Sequence, residues 1–238
     1  MRAVILAGGK GTRLVPYTTV LPKPLMPIGD IPILEIIIRQ LKRAGIDHIT
    51  IAVGHLSNLL MAFFDDGKKY GLDIDYSLED QPLGTVGPLK LIDGLDNTFF
   101  LMNGDVLTTL DYSAMLAYHR QHKAVATIAM HARAVQIDLG VIETDGSNFL
   151  TAYIEKPTYN YHASMGIYIF EPRVLRYIPQ GVYLDFPQLI WKLLEAKEPV
   201  LTYPYDGYWQ DIGCPEDYAR AIEEFDRMRG LILGEKQT

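Results

Sequence analysis

Short apolar runs that stop at glycine or aspartate, each followed by a helix-length amphipathic pattern, constrain this chain more than any other feature. Ala3-Val4-Ile5-Leu6-Ala7 carries no polar residue and ends at Gly8-Gly9. A strand with one wet face would alternate, so a continuous run reads as a strand buried on both sides. Residues 33–44 then place apolar side chains at 33, 34, 37, 38 and 41, finish in Lys42 and Arg43, and are closed by Gly45. That is the pattern and the stop signal of an amphipathic helix. Segments 49–53 and 74–78 read as strands and 58–64 as a helix; 98–102 is another buried strand, ending in Asn103-Gly104-Asp105. Asp111 is placed to cap a helix reaching His122, and 124–130 is again β-rich. Strands alternating with helices of this length imply an α/β architecture with a parallel, doubly wound sheet.

The pattern changes after that point. Residues 139–143 and 150–155 flank the turn Asp145-Gly146-Ser147-Asn148, the signature of an antiparallel hairpin, and 166–170 is a further strand. Asp185 is placed to cap a helix to Ala196, and Pro215 suits the first turn of a helix leading to Met228. No linker, repeat or charge block divides the sequence. It reads as one domain over 1–229, with a mixed second half and a polar, frayed tail over 230–238.

Charge and cysteine usage narrow the function classes. Twenty-two basic against 29 acidic residues give a net charge of −7, the opposite of a nucleic-acid-binding footprint. The single cysteine, Cys214, cannot form an internal disulfide, which points to a reducing compartment. The N-terminus lacks a signal-peptide core, and the apolar stretch from Ile31 to Leu41 is broken by Pro32, Glu35 and Arg39. A soluble, cytoplasmic protein without membrane partners is the expectation.

Leu6-Ala7-Gly8-Gly9-Lys10-Gly11-Thr12-Arg13-Leu14 carries the strongest chemical signal. Glycines let backbone N–H groups point at an anion, and strand ends of open α/β sheets are where ligands sit. Two familiar phosphate loops do not fit. No G-x-x-x-x-G-K-[ST] string exists, and Leu14 stands where the third glycine of a dinucleotide fingerprint belongs. Asp30 falls at the distance of a ribose-binding acid, but the segment after the loop has prolines at 16, 22, 24, 27 and 32 in place of an immediate helix.

Residues Leu6 to Leu14, followed by Pro16, Thr18 and Leu21-Pro22-Lys23-Pro24-Leu25-Met26-Pro27-Ile28, resemble the signature of the sugar-phosphate nucleotidylyltransferases. Similar blocks follow in family order: Pro82-Leu83-Gly84-Thr85-Val86-Gly87-Pro88-Leu89, Asn103-Gly104-Asp105, Glu155-Lys156-Pro157, Gly166-Ile167-Tyr168-Ile169-Phe170 and Trp209-Gln210-Asp211-Ile212-Gly213. The resemblance implies the nucleotide-diphospho-sugar transferase fold. That is a Rossmann-like, doubly wound mixed sheet with a nucleotide-binding part near 1–123 and a mostly antiparallel, sugar-phosphate-binding part near 124–229. It also implies substrates, an NTP and a sugar 1-phosphate, and products, an NDP-sugar and pyrophosphate.

For such a reaction the nucleophile is a phosphate oxygen, already ionised near neutral pH, so no general base is required. The obstacle is repulsion between two polyanions that must meet in line. Cations, a backbone anion cradle and acidic ligands for Mg²⁺ are the expected equipment. The resemblance assigns Arg13 and Lys23 as catalytic cations, Arg13 toward the β- and γ-phosphates and Lys23 toward the α-phosphate and the attacking phosphate. Leu6, Ala7, Gly8, Gly9, Gly11, Thr12, Gln81, Pro82, Gly84, Thr85 and Gly104 become the nucleotide-binding set, with Gly104 allowing close approach. Asp105 and Asp211 become the Mg²⁺ ligands, and Gly140, Glu155, Lys156 and Ser164 the sugar-phosphate set. Ser164 departs from the asparagine usual in the family. Tyr159 and Tyr161 flank Asn160 beyond Lys156 and are read as sugar-facing or ordinary surface aromatics. His119 and His122 have a metal-compatible spacing, but cations at a helix C-terminus are favoured by the dipole without any metal.

Guanine offers donors at N1 and N2, whereas thymine and uracil offer one donor between two acceptors; Glu79, Asp80 and Gln81 suit either pattern. The string from Leu83 to Leu89 most resembles mannose- and heptose-phosphate guanylyltransferases, which favours GTP. A thymidylyl-, uridylyl- or cytidylyltransferase, transfer to a phosphorylated cyclitol or phosphocholine, and a silent regulatory subunit are the alternatives. No appended β-helix or second domain is expected, and a symmetric homo-oligomer is compatible with a protein of this kind.

Overall fold

A computed structural model describes residues 1–79 and 81–234. In chain order the strands and helices are β1 (Arg2–Ala7), β2 (Pro27–Ile28), β3 (Ile31–Pro32), α1 (Ile33–Arg43), β4 (His48–Val53), α2 (Ser57–Phe64), β5 (Asp73–Leu78), β6 (Phe99–Asn103) and β7 (Val106–Thr108). They continue as α3 (Tyr112–His122), β8 (Ala126–Gln136), β9 (Gly140–Thr144), β10 (Leu150–Glu155), β11 (Thr158–Phe170), α4 (Phe186–Glu195), β12 (Val200–Pro204), β13 (Trp209–Asp211) and α5 (Pro215–Leu233). A seven-stranded sheet in the order β12-β8-β11-β6-β1-β4-β5 forms the core. β1 pairs in parallel with β4 and β6, β4 with β5, and β12 with β8, while β11 runs antiparallel to both β6 and β8.

The apolar run of β1 is continuous because both faces of the sheet are covered. Ala3, Ile5 and Ala7 enter a core built with α1 and α5, whereas Val4 enters a second core with Val86, Leu89 and Phe170. β6 divides likewise, Phe100 and Met102 to one side and Phe99 and Leu101 to the other. Helix boundaries follow local chemistry. Asp111 Oδ1 accepts from the Ser113 and Ala114 amides at 2.9 and 3.0 Å, and Asp185 with Gln188 forms a capping box at the start of α4. The β9–β10 hairpin closes on Asp145, whose Oδ1 accepts from the Ser147 and Phe149 amides. None of the described helices is long and apolar enough to cross a membrane.

Three elements differ from the sequence reading. β8 and β11 run on past their buried ends into a long antiparallel arm, from Ala126 paired with Phe170 to Gln136 paired with Thr158. The frayed tail is corrected: α5 continues to Leu233, and Ile232 is fully buried. The reason is tertiary. Gln40, buried on α1, donates from Nε2 to the carbonyls of Thr108 at 2.7 Å and Ile232 at 2.9 Å, tying β7, α1 and the end of α5 together. The rest of the proposed tail, 235–238, lies outside the described residues.

This anchoring makes the C-terminal turn part of the cooperative core. Ile232→Ala is expected to lower unfolding free energy by about 2–5 kcal/mol. Gln40→Leu, which removes the amide and strands two buried carbonyls, is expected to cost ~1–3 kcal/mol. Urea unfolding measures both, and midpoints equal to wild type would place that turn outside the cooperative unit.

Candidate active site

The sheet fixes where a ligand can go. From β1 the chain moves outward through β4 to β5, then crosses back to place β6 on the other side of β1. Such a reversal opens a crevice at the carboxyl ends of the two strands. A cavity of about 760 Å³ lies there. It is lined by the turn after β1 (Gly8 to Leu14), by Gly54 and His55 after β4, by Glu79 and Gln81 after β5, and by Asn103, Gly104 and Asp105 after β6.

The glycine turn is held by close contacts. Gly11 adopts φ +60°, and a Cβ there would meet Thr18 Cγ2 at 2.8 Å, while Thr18 Oγ1 donates to the Gly11 carbonyl at 2.7 Å. Gly104 is also tightly packed: an added Cβ would lie 3.0 Å from the Leu6 carbonyl oxygen, the acceptor of the Gly104 amide. This amide bond docks the end of β6 onto the end of β1.

Both assigned cations and both assigned acids come together. Lys23 leads a short 3-10 turn, Lys23–Leu25, and its ammonium, 12% exposed, forms an ion pair with Asp105 Oδ2. Asp105 stands just before β7, and β13 pairs with β7 so that Asp211 faces Val106 and the Ile212 amide donates to the Asp105 carbonyl at 3.2 Å. The Asp211 carboxylate and the Arg13 guanidinium flank one point: a Cβ on Gly213 would lie 3.3 Å from Asp211 Oδ2 and 3.4 Å from Arg13 Nη1. Burial raises the Asp211 pKa, neighbouring Asp105 raises it further, and Lys23 and Arg13 oppose the shift. Asp211 is therefore an anion in want of a cation.

Asp105 Oδ1 is buried with no hydrogen-bond partner, while Oδ2 is taken by Lys23. Unsatisfied buried carboxylate oxygen is costly unless a ligand completes it. One orphaned oxygen beside a second carboxylate of raised pKa fits a hard divalent cation that takes its remaining ligands from phosphate and water, as Mg²⁺ does. Among the described residues no group of three or more His, Cys, Asp or Glu could hold an ion unaided.

Of the nucleotide set, Leu6, Ala7, Gly8, Gly9, Gly11, Thr12, Gln81, Pro82, Gly84, Thr85 and Gly104 all line the cavity, as do Arg13, Lys23 and Asp105. The sugar-phosphate set does not. Gly140 pairs with Glu155 at the base of the exposed β9–β10 hairpin, and Lys156 follows it with φ +44°. Ser164 lies at the bulge of β11, bonding Tyr168 OH at 3.1 Å, close to where Gly166 packs on Asn103. His119 is buried between Thr127 and Glu171, whereas His122 turns back onto the Tyr118 carbonyl, so the two do not share a ligand.

The structure adds residues to the candidate site. His55 and Tyr183, which the sequence did not single out, line the cavity, as do Lys10 of the glycine motif, Asn103 of the Asn103-Gly104-Asp105 block and Asp185, read only as a helix cap. Asp185 Oδ1 accepts from the Thr85 amide at 3.0 Å, and the Phe186 amide donates to Thr85 Oγ1 at 2.6 Å, so the α4 cap holds the loop over the cavity. Glu79 Oε2 accepts from the Leu83 amide at 2.9 Å, and burial raises its pKa. Asp80, considered with Glu79 as a base-reading acid, lies outside the described residues.

Several known proteins are similar to this chain. A UTP–glucose-1-phosphate uridylyltransferase of Synechocystis sp. is 36% identical over 242 residues, covering 93% of this chain and 62% of the relative. A mannose-1-phosphate guanylyltransferase of Mycobacterium tuberculosis is 35% identical over 237 residues, covering 96% of this chain and 65% of the relative. The chain thus spans somewhat under two thirds of the length of these relatives. The crystal structure of HddC from Yersinia pseudotuberculosis complexed with GMP-PN has a TM-score of 0.70 at 25% identity, covering 94% of this chain and 99% of that one. The model of the nucleotidyl transferase family matches residues 2–227. With that match spanning nearly the whole sequence, and with the glycine turn, the loop cations and Asp105 lining one strand-end crevice beside Asp211, this chain belongs to the nucleotidyl transferase family.

Proposed function

We propose that this chain transfers a nucleoside monophosphate from an NTP to a sugar 1-phosphate. An oxygen of the sugar phosphate attacks the α-phosphorus, the bond from that phosphorus to the β-phosphate bridging oxygen breaks, and pyrophosphate leaves. The convergence of Arg13, Lys23 and Asp105 on one crevice, with Asp211 beside them, carries the reading. No side chain has to remove a proton, since the attacking oxygen is already ionised. Lys23 is held in place by Asp105 and brings a positive charge to the floor of the crevice. Arg13, exposed on the glycine turn, suits the phosphates on which charge builds as the bond breaks. A divalent cation held by Asp105 and Asp211 would supply charge neutralisation between the two phosphate groups.

GTP is the preferred nucleotide in this reading, with a mannose- or heptose-type sugar 1-phosphate. Glu79 supports guanine: its Oε2 is bonded to Leu83, while Oε1 faces the turn at Gly8. A half-buried carboxylate such as Glu79 rewards an edge with two donors and repels the carbonyls flanking the single donor of uracil or thymine. Uridylyl transfer is the second reading, carried by the Synechocystis relative.

A pyrophosphate-release screen crossing four NTPs with a panel of sugar 1-phosphates tests the activity directly. GTP with mannose 1-phosphate or a heptose 1-phosphate is expected to lead, and silence in every combination would remove the assignment. Arg13→Ala and Asp105→Asn are each expected to lower turnover by ~10²–10³; wild-type turnover in either defeats the mechanism.

Asp211→Asn separates stability from activity. The folded protein holds the Asp211 proton more tightly than the unfolded chain does, so Asp211 penalises the fold as pH rises above the ordinary carboxylate range. At neutral pH the asparagine variant should melt higher, by about 2–4 °C for each ~1 kcal/mol relieved. Added Mg²⁺ should raise the melting temperature of wild type and not of Asp211→Asn. A variant that melts lower, or responds to Mg²⁺ as wild type does, contradicts the role given to this acid.

Glu79→Gln keeps one acceptor and adds a donor. Its kcat/KM for GTP relative to UTP should fall by roughly tenfold or more, the size of one lost paired contact. An unchanged ratio would take base reading away from Glu79.

A further inference from the structure

A second cavity, of about 640 Å³, opens at the opposite end of the sheet from the crevice. Its walls are the C-terminus of α3, the residues leading into β8, and the 3-10 helix Pro172–Tyr177 that follows β11. Arg120, Lys123, Arg173 and Arg176 line it, against a single carboxylate, Glu171. In a chain with a net charge of −7 this is an unusual gathering of cations.

Glu171 sets one negative charge against these four cations and makes an ion pair with none of them among the described residues. Its Oε1 accepts from Thr98 Oγ1 at 2.7 Å and lies 3.1 Å from His119 Nε2, so it is held at the floor of the cavity. Burial lowers the pKa of His119 and keeps it neutral near pH 7, its Nδ1 being 2.7 Å from Thr127 Oγ1. Arg173 pairs outward with Glu198 at 3.2 Å, whereas Arg120, Lys123 and Arg176 make no ion pair among the described residues. Three unpaired cations around one hollow repel one another, and the carbonyl end of α3 offsets that only over its last turn. An anion with several oxygens would relieve all three at once, and guanidinium forks match phosphate oxygens in pairs.

We propose that this cavity binds a phosphate-bearing small molecule, through Arg120, Lys123 and Arg176, at a site separate from the catalytic crevice. β6 connects the two: Phe99 starts it beside Thr98 and Asn103 ends it in the crevice, about 13 Å further along the strand. Free pyrophosphate and the phosphate chain of a nucleotide share the required chemistry.

Isothermal titration of the full chain with inorganic pyrophosphate, and in a second arm with GTP, both without added divalent metal, tests the proposal. Arg120→Ser/Arg176→Ser changes two exposed side chains and should leave the melting temperature at or above that of wild type. Wild type is expected to take up two equivalents of at least one probe. The double variant should weaken one of them by about tenfold or more, and Arg13→Ala should weaken the other. The arm in which the double variant loses its equivalent identifies free phosphate or nucleotide as the occupant. Loss in the double variant with no change in Arg13→Ala would uphold this cavity while undermining the catalytic reading. Equal stoichiometry and affinity in wild type and the double variant, for both probes, would overturn the proposal.

Discussion

A sheet covered on both faces leaves its polar chemistry nowhere to go but the strand ends. β1 sends Ala3 and Ile5 into one core and Val4 into the other, so the side chains at its centre are shut off from water on both faces. Its backbone groups are satisfied by β4 and β6, whose parallel ladders run in register with it. The first free N–H groups therefore appear in the turn beyond Ala7, beside the ends of both neighbours. Parallel pairing aligns those ends on one side of the molecule, and the reversal of strand order at β1 parts them enough to leave a cavity. Gly104 belongs to this constraint. Its bond to the Leu6 carbonyl brings the two backbones so close that a Cβ would be crowded at 3.0 Å from that oxygen.

The electrostatics of the crevice follow from the same compression. Docking β13 onto β7 brings Asp211 beside Asp105, two carboxylates that would separate if stability alone decided. Lys23 relieves one oxygen of Asp105 and leaves the other without a partner. Such incomplete satisfaction destabilises the unliganded protein and favours whatever cation and anion complete the set. A site that was already neutral and fully hydrogen bonded would gain less from binding two phosphates. Gly104 contributes differently: it packs on Leu6 while lining the cavity, and the electrostatic work falls to the side chains around it.

Elements with a covered face were legible in the sequence, and those held only by backbone pairing were not. The β1 run, the helix stopped at Gly45, and the caps at Asp111 and Asp185 each announce themselves through burial or a local hydrogen bond. The outer parts of β8 and β11 do not, because the arm leaves the body of the protein and its side chains lose the alternation that one buried face would impose. Gly166, with φ +73°, adds an apparent break where the strand only bulges. The end of α5 was read as part of a polar tail, yet the hydrogen bond from Gln40 to the Ile232 carbonyl and the burial of Ile232 are contacts across most of the chain. The glycine turn, both cations and both acids were legible as residues through family resemblance. Tyr183 and Asp185 were not, because nothing local to residues 183–185 signals that a loop a hundred residues earlier rests on them.

That last contact bears on how the chain behaves as a unit. The sequence divides near residue 123 into a parallel half and a mixed half, but the structure joins them twice. β11 from the second half adds to β6 of the first along four paired residues, burying Phe170 beside Phe99. The cap of α4 then reaches back: the amides of Val86 and Gly87 both donate to the Leu184 carbonyl, and the Leu184 amide donates to Leu83. The loop that walls the nucleotide side of the cavity thus has its own backbone groups satisfied by the other half. Neither half could present that wall alone, since the loop would lose the partners of its buried amides and the sheet would lose cover on one edge. Substrate selection by the loop and stability of the mixed half therefore rest on the same few hydrogen bonds.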